Sequence, residues 1–285
     1  MSRYEQPWSD ELVGDLMQPQ LWVIRQSPGQ LGDDELPPTA LAVALIDFSV
    51  LADDRATFAL LGDAWAGASA TRTTWCQDSF NHLLQRDGQP CRLLGVVLHV
   101  PASTSASIVQ AATRAVHAAQ PGLCLIVSDG LTGTLPAGVT GLVRSTTGHS
   151  ALDALAMVRM LVSLAAPNEW ACLDVEDVRT VCTPADESGP KPLRLITGAW
   201  LEDAGQMILF GASDGNTLAH AEALWLHVDA WRLRGDVLRR ILEDLRARCE
   251  ADVTLVFNAP FRHSLAAAWG GGTVSFVLLV RQGGL

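Results

Sequence analysis

Long apolar runs are missing from this chain of 285 residues. No stretch reaches the roughly eighteen residues that a membrane span requires. The longest candidate, Ala151 to Ala166, is interrupted by Asp153 and Arg159. The amino-terminal segment, MSRYEQPWSDELVGDLM, has no basic start followed by an apolar stretch, so it does not read as a signal peptide. Excess positive charge is missing too. Lys plus Arg is 20 against 31 for Asp plus Glu, giving a net charge of −11 and no basic stripe. That balance excludes nucleic acid and anionic membrane surfaces as natural partners. The six cysteines, at 76, 91, 124, 172, 182 and 249, include no pair at the two-residue gap of a metal knuckle or redox motif. Several lie in apolar runs, where a free thiol packs as a small hydrophobe. No histidines stand at zinc spacing, and His220 with His227 reads as one surface and one half-buried side chain. Gly-x-Ser-x-Gly elbows, Cys/His pairings and Walker loops are all absent. A reducing cytoplasm is the simplest address.

What is present is a core. Apolar residues make up 48% and charged residues 18%, the composition of a folded globule large enough for one large domain or two modest ones. Leu21–Arg25, Leu41–Phe48, Thr57–Leu61, Leu93–Val100 and Leu123–Ser128 are runs of strand length, rich in Val, Ile and Leu. Their continuous apolarity predicts strands covered on both faces, as in a parallel sheet. Helical patterns alternate with them at Thr71–Arg86 and Ser103–Ala119, which predicts a doubly wound α/β domain. Residues Ser150 to Ala166 are apolar nearly all round until Pro167, as a helix buried on several sides would be. Such a helix suits a spine between two domains. Beyond the polar stretch Thr183–Pro192 come four strand-like runs: Leu193–Trp200, Ala223–Val228, Val253–Asn258 and Thr273–Val280. One amphipathic helix at Asp236–Cys249 accompanies them, and together they predict a smaller α+β domain. The glycine run Gly270–Gly272 precedes a strand rather than a helix and reads as a hairpin turn, not a phosphate loop.

The stretch LDVEDVRTV, Leu173–Val181, resembles the loop and helix start of the FtsZ/tubulin superfamily, just past a long buried helix and a proline. With that anchor the other segments fall into the family's order over residues 20 to 280. The resemblance implies an α/β fold of FtsZ/tubulin type. Its parts are a Rossmann-like parallel-sheet domain at 1–149, a central helix and synergy loop at 150–182, and an α+β domain at 183–285. It also implies that AGASATR, Ala66 to Arg72, stands where the family has its glycine-rich signature loop, with Gly67, Ser69 and Thr71 as a degenerate phosphate site.

Glycine matters in such a loop because backbone N–H groups must approach phosphate oxygens closely. Only Gly67 remains a glycine there, and Trp65 stands beside it. The first glycine-rich loop has become QSPGQLG, Gln26–Gly32, with a proline that removes a donor. The segment between the second and third strands is short, and ASTSASIVQ follows Pro101 where the family contacts ribose and base. Together these losses imply that no cofactor is bound, or GTP only weakly. Asp174 and Asp177 match the synergy-loop carboxylates that act on a neighbouring subunit's nucleotide, with Cys172 replacing the family's Asn. The same spacing is also how a helix begins, with an N-cap and an acid near the positive dipole end. The resemblance thus implies a pseudo-GTPase working by contact with an FtsZ-type filament subunit or with itself. The alternative is a self-assembling GTPase.

Overall fold

A computed structural model of the chain describes residues 19–26, 40–49, 68–85, 91–131, 135–145, 149–164, 173–183, 192–210, 217–229, 233–249, 252–259 and 273–283. Eleven strands form one sheet, in the order β10-β9-β11-β7-β6-β5-β4-β2-β1-β3, with β8 paired to β7. In chain order they are β1 (Gln20–Gln26), β2 (Ala40–Asp47), β3 (Ala68–Thr74), β4 (Cys91–His99), β5 (Leu123–Ser128), β6 (Gly141–Arg144), β7 (Pro192–Leu201), β8 (Gln206–Phe210), β9 (Ala221–Asp229), β10 (Thr254–Asn258) and β11 (Thr273–Gln282). The described helices are α1 (Gln77–Leu84), α2 (Ala106–Ala118), α3 (Ser150–Ser163), α4 (Val175–Cys182) and α5 (Gly235–Arg248).

The centre of the sheet is parallel, from β2 through β4, β5 and β6 to β7. Every residue of β5 is buried, as its unbroken apolar sequence demands of a strand covered on both faces. Alternate side chains feed two different cores. Leu123, Leu125 and Val127 point to the face covered by α3 and α4, while Cys124 and Ile126 point to the face covered by α1 and α2. In the second half, Leu224, Leu226 and Val228 of β9 pack with Val237, Leu238, Ile241 and Leu245 of α5. Ala223 and Trp225 of the same strand face the core of α3 and α4.

The α3–α4 core therefore draws on both halves of the chain, and α3 lies over β2, β4 and β5. The approach is close. A Cβ on Gly95 in β4 would stand 2.9 Å from the Leu161 side chain. The sheet does not stop at residue 183, because β6 and β7 pair in parallel from Leu142↔Pro192 to Arg144↔Arg194.

Two outer strands depart from the parallel expectation. β1 runs antiparallel to β2, with Gln20 opposite Asp47 and Gln26 opposite Leu41, and β3 runs antiparallel to β1. The helical pattern at Thr71–Arg86 is corrected as well. Its first residues, Thr71–Thr74, are the end of β3, and the helix starts only at Gln77, capped by Cys76. Thr71, Thr73 and Thr74 are β-branched or hydroxylated residues that favour the pleated edge over a helix interior. Among the described residues no helix is long and apolar enough to cross a membrane.

Candidate functional site

Ligands of open α/β sheets sit outside the carboxyl ends of parallel strands. At that end of this sheet, β2 finishes at Asp47, β4 at His99, and α3 starts at Ser150. These three side chains meet. His99 Nδ1 lies 2.8 Å from Asp47 Oδ1, and His99 Nε2 lies 2.9 Å from Ser150 Oγ. Asp47 Oδ1 also accepts from the Ser49 backbone N–H and hydroxyl, both at 2.8 Å. Asp47 Oδ2 is buried and accepts nothing among the described residues.

Burial is graded along the row: Asp47 is 1% exposed, His99 2% and Ser150 7%. Polar groups removed from water this completely persist only when hydrogen-bonded, so the row is built into the fold. A carboxylate only accepts, so the Nδ1–H of His99 donates to Asp47; in the neutral imidazole Nε2 then accepts from the Ser150 hydroxyl. An aspartate orients an imidazole, and the imidazole faces a hydroxyl at hydrogen-bond distance.

The residues matched to the phosphate loop stand elsewhere. Gly67, Trp65, the Thr57–Leu61 strand, the loop after Gln26, Cys172 and Gly270–Gly272 lie outside the described residues. Ser69 and Thr71 are in β3, opposite Arg25 and Val23 of β1. A phosphate nest needs successive N–H groups converging on one point. In an extended strand successive N–H groups point to opposite sides, and Ser69 and Thr71 lie in such a strand at the edge of the sheet.

The same pairing fixes where the segment lies. β1 ends beside Leu41, at the amino end of β2, and β3 begins level with Gln26. Both segments matched to glycine-rich loops thus begin at the end of the sheet away from Asp47 and His99. Arg72, the last residue of AGASATR, lies over the Trp22 ring at 5.1 Å and donates to Gln20 Oε1. The described part of the segment, Ala68–Arg72, is paired along its length with β1.

Asp174 and Asp177 sit together at the start of α4. Asp174 Oδ1 accepts from the N–H groups of Glu176 (2.8 Å) and Asp177 (3.0 Å), while Asp177 Oδ2 accepts from Asp174 N–H at 3.0 Å. This is a complete capping box with acidic residues at the positive helix end. Arg179 of the same helix donates to the carbonyl of Gly122, just before β5. The carboxylates therefore lie at the amino ends of the central strands, opposite the Asp47–His99–Ser150 row. Asp174, Glu176, Arg179 and Thr180 are exposed there. Replacing Asp174 by Ala should lower the unfolding free energy by about 1 kcal/mol in urea denaturation. The Asp174→Ala/Asp177→Ala double variant should still fold and lose less than the sum of the single losses, because both residues share one box.

A second buried polar group escaped the sequence. His227 is fully buried, not half-buried, with Nδ1 3.2 Å from Ser163 Oγ. Asn258 Nδ2 donates to Ser163 Oγ at 2.6 Å, and Trp225 Nε1 donates to Asn258 Oδ1 at 3.0 Å. This set ties the end of α3 to β9 and β10. Burial pushes the thiols of Cys124 and Cys182 up to about 12, which keeps them neutral and inert.

No family model and no curated protein matches the chain. Among solved structures it is similar to an FtsZ of M. jannaschii, at 13% identity and a TM-score of 0.36, over 70% of this chain and 58% of that one. It is also similar to TubZ of Bacillus thuringiensis serovar israelensis, solved as GDP-form protofilaments, at 10% identity and a TM-score of 0.41, over 72% and 65%. CetZ of Methanosaeta thermophila gives 10% identity and 0.33, over 72% and 56%. The chain spans less than two thirds of the length of each of them. These structures are of the superfamily that the sequence resembles. Likeness at this level carries no inference about what this chain binds or does.

Proposed function

We propose that this chain is an FtsZ/tubulin-like protein that has given up nucleotide turnover and acts by contact. It would cap or pace FtsZ-type filaments, or assemble with copies of itself. The observation that carries the reading is β3. The segment aligned with the signature loop is an extended edge strand whose residues are registered against β1 from Ala68↔Gln26 to Thr74↔Gln20. A backbone committed to that ladder cannot also fold around a triphosphate. The helix start that resembles the synergy loop supports the same view, because its capping box is complete and it is exposed at Asp174 and Glu176.

Two measurements test the reading. Calorimetric titration of the full chain with GTP should give no binding heat at millimolar nucleotide. Micromolar affinity would favour the self-assembling GTPase instead. Sedimentation of an FtsZ with substoichiometric amounts of this chain should give less polymer in the pellet, and the Asp174→Ala/Asp177→Ala variant should lose that effect. An unchanged pellet, in which neither protein drew the other down, would count against contact with FtsZ-type filaments.

A further inference from the structure

We propose that Asp47, His99 and Ser150 form an acyl-transfer site, with Ser150 as nucleophile, His99 as its general base and Asp47 as the residue positioning the imidazole. The inference is independent of the contact function above. Three features carry it. The first is connectivity: carboxylate to Nδ1 at 2.8 Å, and Nε2 to hydroxyl at 2.9 Å, on opposite nitrogens of one ring. That is the relation a hydroxyl nucleophile needs, with the base in contact and itself oriented by a third group.

The second feature is burial: Asp47 and His99 are 1% and 2% exposed and Ser150 7%, so the serine is the residue of the three with the most exposed surface. The third is location. The row stands at the carboxyl ends of β2 and β4, where ligands of open sheets are met, and Ser150 opens α3, a helix of 14 residues. Asp47 and the net charge of −11 disfavour anionic substrates, so the class is an uncharged carboxylic ester.

The step balances. As Ser150 Oγ bonds to the ester carbonyl carbon, its proton passes to His99 Nε2, and the carbonyl electron pair moves onto oxygen. Collapse of that oxyanion expels the alcohol oxygen, which takes the proton from His99. Water then attacks the acyl–Ser150 carbon, gives a proton to His99, and releases the carboxylic acid as Ser150 Oγ is reprotonated. The sum is ester plus water giving acid plus alcohol.

The test uses the full chain and a short alkyl fluorophosphonate, which loses fluoride when a serine oxygen attacks phosphorus. Intact-mass and peptide mapping should find one phosphonyl adduct, on Ser150. It should form in the folded protein and not in urea, and it should abolish hydrolysis of p-nitrophenyl acetate. His99→Gln should slow labelling by about 100-fold or more, and Ser150→Ala should remove the adduct. No adduct on Ser150 in the folded wild type, or equal labelling in urea, would overturn the proposal without recourse to any variant.

Discussion

Replacing Arg281 by Met should cost about 3–5 kcal/mol of unfolding free energy, the largest effect expected of any single substitution outside the strands' apolar cores. Arg281 lies in β11 and is 8% exposed. Its Nη1 donates to the carbonyls of Thr180 (2.7 Å), Val181 (3.0 Å) and Thr183 (2.8 Å), and its Nε pairs with Glu222 at 3.4 Å. The last carbonyls of a helix have no partner within it, and a cation there also meets the negative dipole end. Arg281 serves as the C-cap of α4 from a strand about a hundred residues away in sequence. A methionine of similar length would leave the buried Val181 carbonyl and the part-buried carbonyls of Thr180 and Thr183 without this donor. Urea denaturation should show the midpoint falling with little change in slope. Lysine at the same position should recover part of the loss, since its compact ammonium cannot hold the fork geometry of a guanidinium.

Gly122→Ala should destabilise by about 3 kcal/mol, far more than one methyl group would at an open site. An ideal Cβ at Gly122 would stand 2.5 Å from Val175 Cγ1 and 2.6 Å from the Leu94 carbonyl oxygen. The valine can be shortened but the backbone oxygen cannot move away. Val175→Ala in the Gly122→Ala background should therefore restore only part of the stability, and a double-mutant cycle measures that part. The position also accepts the Arg179 hydrogen bond, so displacing it should loosen the start of α4. Hydrogen exchange of the amides of Glu176 and Asp177 should rise accordingly.

Much of the fold was legible where the signal was local. The apolar runs of β2, β4 and β5 gave strands within a few residues, because burial on both faces leaves no polar interruption. The stripe of Val237, Leu238, Ile241 and Leu245 gave α5 for the same kind of reason. Strand direction was not legible. Nothing in LWVIR states whether it pairs with β2 head to head or head to tail, and only the register Gln20↔Asp47 reveals the antiparallel answer. ASATRTT was misread because small residues and hydroxyls are shared by loops and edge strands, so composition could not separate them. Short β6 and β8 lacked the length for a pattern. The capping reading of Asp174 and Asp177 was available from their spacing, and it is what their hydrogen bonds realise.

The Asp47–His99–Ser150 row was invisible for a different reason. Its members are 52 and 51 residues apart, each a single polar residue at the border of an apolar segment. The one signal that could have found them is that two of them, Asp47 and His99, close parallel strands that become neighbours. Adjacency across a sheet is a product of topology, not of spacing.

The ladder between β6 and β7 has three registered pairs, Leu142↔Pro192, Val143↔Leu193 and Arg144↔Arg194, and Pro192 has no N–H to give. It is the narrowest seam in a plate that otherwise runs unbroken from one rim strand to the other. The two halves meet here through paired backbone and not through a linker alone. Tension applied between the rims would be carried across this ladder, and at overload the tear would start at this proline.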